Sequence, residues 1–186
     1  MAKSHTRTKG LTLVELMVTL ATAGILVALA TPTFTGSLQN NRLSIQINDF
    51  HTSLSVARTE AIKRNVSISV CQSDNGSSCM GNWQDGWIIF VDNDNDGTAD
   101  SGEEILRVHG AISGSNSLTF SQANITYAGN GIASSGLNGT FTFCDTRGAE
   151  NAKALIIGVS GRPRLATDSN SNGILEDAND VDLVCS

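Results

Sequence analysis

The chain has 186 residues and four cysteines, which leaves room for about one globular domain of roughly 120 residues once a long first helix is set aside. Its formal charge is −6; the first ten residues supply Lys3, Arg7 and Lys9 and no acid, so the remainder carries nine basic against eighteen acidic residues, a net of −9. An acidic body argues against broad electrostatic attraction to nucleic acid or anionic lipid and leaves such binding to a local basic patch.

Residues 1–10, MAKSHTRTKG, are basic and polar, and an apolar run of twenty residues, Leu11 to Ala30, begins directly after Gly10. As a helix that run is about 30 Å long, the thickness of a bilayer's hydrocarbon core. The leading positive charges would keep the N-terminus in the cytoplasm, and the following domain would then lie outside it. An ordinary secretory signal is cut after its apolar region, whereas removing this leader would leave the apolar segment on the protein. Glu15 interrupts the run. A carboxylate inside a membrane span costs on the order of a few kcal/mol and marks a functional position that needs a partner. Cleavage after Gly10 would create an α-amino group on Leu11, and Glu15 of one subunit could neutralise that amine on its neighbour and set the stagger between them. The plainer alternative is a single-span anchor with an incidental Glu.

The string KG|LTLVELMVTLATAGILVALATPTF closely resembles the class III signal of type IV prepilins and type II secretion pseudopilins, with Gly10 before the cut and Glu15 at the fifth mature position. The resemblance implies cleavage between Gly10 and Leu11, N-methylation of Leu11 by a prepilin peptidase, and assembly through the first helix with other major and minor pilins or pseudopilins. It also implies a single-pass protein of the cell inner membrane with a periplasmic domain, later carried into a pilus or pseudopilus. Pro32 falls where such helices often kink.

Beyond Pro32, apolar residues recur at Leu43, Ile47, Phe50, Leu54, Ala57 and Ala61, steps of four and three that lie on one helical face. The helix should end near Asn65; Arg42, Asp49, Arg58, Glu60, Lys63 and Arg64 read as its solvated side. Strands are expected at 67–71, 86–91, 104–108, 117–120, 139–144 and 154–159, separated by turn-forming Gly, Asn, Asp and Ser. Trp83, Trp87 and Phe90 are expected in the core. The organisation is thus a leader (1–10), a transmembrane and assembly helix (11–33), an amphipathic continuation (34–65) and a β-rich extracytoplasmic domain (66–186). The fold class is α+β and pilin-like: a long N-terminal helix packed on a mainly antiparallel β domain.

Four cysteines beyond a membrane span would lie in an oxidising compartment, where an even count favours disulfides. Of the three connectivities, Cys71 with Cys79 closes a short polar loop and Cys144 with Cys185 ties down the C-terminus, which makes this pair of bridges the preferred one.

The order of a long helix, WQDGWIIFVDNDNDG, EEILRVH, a late FTFCDTRG and GRPR resembles the general secretion protein H and FimT/FimU minor-pilin family over nearly the whole chain, loosely between 111 and 137. That family resemblance implies a structural subunit and no catalysis. No Ser, His and acid stand in a recognisable hydrolase arrangement.

Two acidic stretches and one basic stretch remain. Asp92, Asp94, Asp96, Gly97, Asp100 and Glu103 satisfy D-x-D-x-D-G-x5-E, which in a calcium loop gathers carboxylates around one hard cation. The flanking residues read as strands rather than EF-hand helices, so a calcium-binding hairpin and a solvated acidic turn both stay open. A second stretch, Asp168, Asn170, Asn172, Gly173, Glu176, Asp177 and Asp180, begins in the same way but puts Asn179 where the last acid should stand. Arg147, Lys153, Arg162 and Arg164 make the region near the C-terminus locally basic. In SGRPR, Arg162 and Arg164 at i and i+2 of a strand edge would project to one side, about 6 to 7 Å apart, a spacing suited to successive phosphates. Gly161, Arg162 and Arg164 resemble the GRxR motif of FimT-type minor pilins, which implies capture of extracellular DNA for natural transformation. Surface ion pairs or subunit contacts are the other reading of these arginines.

Overall fold

The computed structural model describes residue 10, residues 12–133 and residues 139–185, without the side chains of residues 27–33. The expected leader, residues 1–9, and the expected cleavage and methylation position Leu11 lie outside the described residues. The chain forms two compact units, Met1–Gln39 and Asn40–Ser186.

Helix α1, Leu13–Arg64, is assigned as α without interruption through position 32. In the first unit it begins at Thr12, whose Oγ1 accepts the backbone N–H of Glu15 at 3.2 Å. Thr12-x-x-Glu15 is the sequence form of a capping box, and this bond satisfies one of the amides a helix start leaves orphaned. Among the described residues, no helix is long and apolar enough to cross a membrane; of the stretch Leu11–Ala30, Leu11 and the side chains at 27–30 lie outside them.

In the second unit the face expected from the steps of four and three is the buried one. Leu43, Phe50, Leu54, Ala57 and Ala61 are inaccessible and Ile47 nearly so. The helix ends at Arg64, and Asn65 takes a left-handed φ of 54°, a conformation Asn tolerates at a helix C-terminus.

Eight strands follow: β1 (Ile68–Gln72), β2 (Gly86–Val91), β3 (Ile105–Gly110), β4 (Ser117–Thr119), β5 (Asn124–Tyr127), β6 (Gly139–Cys144), β7 (Lys153–Ile157) and β8 (Pro163–Leu165). They make two four-stranded antiparallel sheets, ordered β3-β2-β1-β5 and β4-β6-β7-β8. β5 was not foreseen; β2 and β6 match their expected limits, and β1, β3, β4 and β7 start or end one to two residues away from theirs.

One core joins the helix to both sheets, with Ile68, Val70, Trp87 and Ile89 from the first and Phe141, Phe143, Leu155 and Ile157 from the second. Phe50 sits among four aromatic rings, edge-on to Trp87 at 4.9 Å and tilted against Phe141 at 4.5 Å. Such contacts add about 0.5–1.5 kcal/mol each beyond the area they bury. Trp83, Trp87 and Phe90 are all buried, as expected. Arg58 departs from the solvated role read for it: its Nε donates to the Gly131 carbonyl at 2.9 Å and fixes the turn after β5.

Alternation leaves each sheet a second apolar face, because Cys71, Ile88 and Phe90 point away from the main core, as do Ala154 and Ile156. Each of these faces is covered by a segment tied with a disulfide. Cys71–Cys79 closes a loop that meets Ala99 over the first sheet. Cys144–Cys185 holds Ile174, Leu175, Ala178 and Leu183 over the second.

Candidate functional site

The first unit presents an unusual surface. Leu13 is 73% exposed and Val14 68%, and Leu16, Met17, Val18, Leu20, Ile25 and Leu26 are all at least half exposed. Glu15 stands among them, also exposed, with its backbone amide capped by Thr12. A contiguous run of exposed large apolar side chains around one carboxylate is the kind of surface that marks an interaction site.

The four basic residues near the C-terminus are not gathered in one place. Arg147 lies in the turn after β6, where its guanidinium holds Asp145 through Nε (3.0 Å) and Nη2 (2.6 Å), and Nη2 also donates to Asn40 Oδ1 at 2.8 Å. Burial works to raise the Asp145 carboxyl, but the hydrogen bonds from the Arg147 side chain and backbone outweigh it and hold the group below its usual range. Lys153 Nζ donates to Ser44 Oγ of the helix at 2.6 Å. Arg164 pairs in register with Ile156, so it stands on the face of the second sheet opposite to the one that carries Lys153. Arg164 lies on the edge strand β8 and Arg162 directly precedes that strand, so that the two flank Pro163, both exposed. Among the described residues, neither forms an ion pair or a side-chain hydrogen bond. Two of the four bases are therefore engaged within the domain, and two are available to a partner.

The acidic turn between β2 and β3 is built from both sides. Asp92 follows β2 and is only 1% exposed. Its Oδ2 accepts from Ser69 Oγ at 2.5 Å and from the Gly97 amide at 3.1 Å; Ser69 Oγ also lies 2.6 Å from Thr126 Oγ1 on β5. Among the described residues, Asp92 Oδ1 has no hydrogen-bond partner. Asp94 Oδ1 caps the Asp96 amide at 3.4 Å, and Asp96 Oδ1 caps that of Thr98 at 2.7 Å. One carboxylate oxygen from each of Asp92, Asp94 and Asp96 lies within 4.8 Å of the others. Glu103, expected as the last calcium ligand, accepts instead from the Asn93 amide (2.7 Å) and the Asp100 amide (3.0 Å), closing the turn. Asp100 feels the cluster: the charge of Asp96, then desolvation, then Asp94, Glu103 and Asp92 raise its carboxyl above the usual range.

The second acidic turn repeats the backbone pattern. Asp168 Oδ2 accepts the Gly173 amide at 2.8 Å, Asn170 Oδ1 that of Asn172 at 2.9 Å, and Asn172 Oδ1 that of Ile174 at 2.8 Å. The acid that folds back is Glu176, only 4% exposed, which takes the Ser169 and Asn170 amides at 2.8 and 3.3 Å. Sequence reasoning looked for that acid at position 179. The Ser/Asp-rich spacing alone does not show that a shorter return, from Gly173 to Glu176, closes the same turn.

These features define a class: a pilin-like subunit, in which a long N-terminal helix with an exposed apolar start continues into an antiparallel β domain. The family described as type II transport protein GspH matches residues 46–161, more than half of the chain, and the chain belongs to that family. Pilin-like protein PilA1 of Thermus thermophilus is 33% identical over 103 residues, which cover 54% of this chain and 59% of that relative, so the chain spans about three-fifths of the relative's length. Two crystal forms of the type IV minor pilin FimU of Pseudomonas aeruginosa are similar in fold, with TM-scores of 0.59 and 0.54 at 20% and 19% identity. They cover 80% and 75% of this chain and 98% and 96% of their own. The family is one of structural pilin and pseudopilin subunits, not of enzymes.

Proposed function

We propose that this chain is made as a precursor, anchored in the inner membrane through Leu11–Ala30, cut between Gly10 and Leu11 and N-methylated on Leu11 by a prepilin peptidase. It then joins other pilins or pseudopilins through its first helix, in a type IV pilus or a type II secretion pseudopilus. The observation that carries this reading is Glu15, a single carboxylate among large apolar side chains that are all exposed in the isolated chain. Packing those side chains against neighbouring helices and lipid would remove them from water at about 25 cal/mol per Å². The same burial would strand Glu15, which the α-amine of a neighbouring Leu11 would neutralise.

In a host strain lacking its own copy of the gene, Glu15→Ala should insert in the membrane and be cleaved but fail to enter the filament. Incorporation equal to that of the unchanged chain would reduce the segment to a simple anchor. The same strain separates the two machines, because loss of surface pili and loss of protein secretion are different readouts.

A second reading is favoured by the pair Arg162 and Arg164, exposed and without internal partners on an edge strand. Two guanidiniums at i and i+2 suit adjacent phosphates, so the subunit would capture extracellular DNA at this edge. Arg147 and Lys153 would contribute little, since both already serve contacts within the domain. The net charge of −9 outside the leader makes this binding weak and salt-sensitive. A gel shift that persists unchanged with Arg162→Gln and Arg164→Gln combined would remove the site.

A further inference from the structure

We propose that Asp92, Asp94 and Asp96 form a binding site for a hard divalent cation, calcium in preference to magnesium, in the turn between β2 and β3. Two ligands on one calcium ion stand at most about 5 Å apart, since each Ca–O distance is about 2.3–2.6 Å. The three carboxylates meet that limit, with an oxygen from each within 4.8 Å of the others.

A cluster of acids on a surface turn would carry nothing by itself, because water solvates such groups well. Asp92 is different. It is 1% exposed, its Oδ2 is held by Ser69 and Gly97, and among the described residues its buried Oδ1 has no partner. A buried carboxylate oxygen left unsatisfied is costly, the more so when charged. Among the described residues, no Lys or Arg forms an ion pair with Asp92, Asp94 or Asp96. A cation from solution would supply the balancing positive charge. An all-oxygen set on an irregular turn suits calcium, which accepts irregular coordination, better than magnesium, which holds its water and demands an octahedron.

The position explains what binding would do. Gly97 packs so closely on Asn124 of β5 that a Cβ there would stand 2.4 Å from Asn124 Nδ2, and the Ala99 amide donates to Cys79 Sγ at 3.3 Å. A cation at the aspartates would therefore lock the turn, the disulfide loop and the outer face of the first sheet together, and should raise the melting temperature.

The test uses the full chain in detergent micelles, freed of metal with a chelator, titrated calorimetrically with calcium chloride and separately with magnesium chloride. One calcium per chain is expected, with a Kd between about 10 µM and 1 mM, together with a higher melting temperature. Asp94→Asn and Asp96→Asn, both at exposed positions that leave the fold intact, should each weaken calcium about tenfold or more. Asp180→Asn in the other acidic turn should change nothing. Absence of heat and of any thermal shift at about 10 mM calcium, or binding in Asp94→Asn and Asp96→Asn equal to that of the unchanged chain, would overturn the proposal. So would an equal loss in Asp180→Asn, which would mean diffuse attraction to an acidic surface.

Discussion

The two acidic turns share one backbone design and differ in how they balance its charge. In both, the first Asp accepts the amide of a Gly five residues on, the residue before that Gly caps the amide after it, and positive φ recurs at matching places, Asn95 with Gly97 and Ser171 with Gly173. In the second turn the middle positions are Asn170 and Asn172, whose amide groups donate to Asp182 at 3.3 and 2.8 Å. That turn supplies its own donors. In the first turn the same positions are Asp94 and Asp96, which accept only, and the buried Asp92 keeps one oxygen unpaired. A change from carboxamide to carboxylate at two positions thus removes the loop's own donors and, on the proposal above, leaves that place to a cation, with no change in the path of the chain.

The largest expected difference between the two regions lies in their bridges. Cys144 and Cys185 are 41 residues apart and Cys71 and Cys79 are 8 apart. By loop entropy, replacing the first pair with Ser should cost about 4 kcal/mol and the second about 2.5 kcal/mol, measured by denaturant unfolding under non-reducing conditions. Equal losses would mean that packing over the sheets, rather than loop closure, sets the contribution.

Next come the glycines. Gly97→Ala combines a left-handed φ of 76° with the close approach of Asn124, whereas Gly173 has a φ of 91° and nothing within 4 Å of the added carbon. The first substitution should destabilise by more than about 2 kcal/mol and the second by about 1 kcal/mol. A reversal of that order would show that the second turn is the more constrained of the two.

The smallest effect is on pH. The Asp100 carboxyl is raised in the folded chain, so the folded state holds that proton more tightly, and stability is gained as pH falls through the folded value. Asp145 is lowered, so its contribution is present above the ordinary carboxylate range and lost as pH falls through its folded value, below that range. Without calcium, Asp100→Asn should therefore stabilise slightly near neutrality and have no effect in acid, and titration of the carboxyl signals by NMR would follow both groups. A calcium-loaded chain should show the Asp100 shift reduced or reversed.

The helix was the most legible part of the sequence, because a face with steps of four and three has one physical use, and all six of its named residues are buried. β2 and β6 were legible as apolar runs bounded by Gly. β5 was not, since Asn124–Tyr127 offers only two inward residues, Ile125 and Tyr127, and draws its register from β1. The capping role of Thr12 is legible in T-x-x-E, where the same residues also belong to the cleavage motif. The grouping of Arg147 and Lys153 with Arg162 and Arg164 followed from counting charge along the chain. Strand alternation sends Lys153 and Arg164 to opposite faces of one sheet, which a charge count does not register. The same limit hid Glu176, because the return length of a turn depends on what it must cover.

For the first helix to be both anchor and assembly handle, the chain must be cut before its apolar segment. Intact mass and N-terminal fragmentation of the protein recovered from host membranes test this directly. The expected product begins at Leu11 and carries one added methyl group on its α-amine; a chain that begins at Met1 or Ala2, or one cut beyond Ala30 with the apolar segment removed, would contradict it.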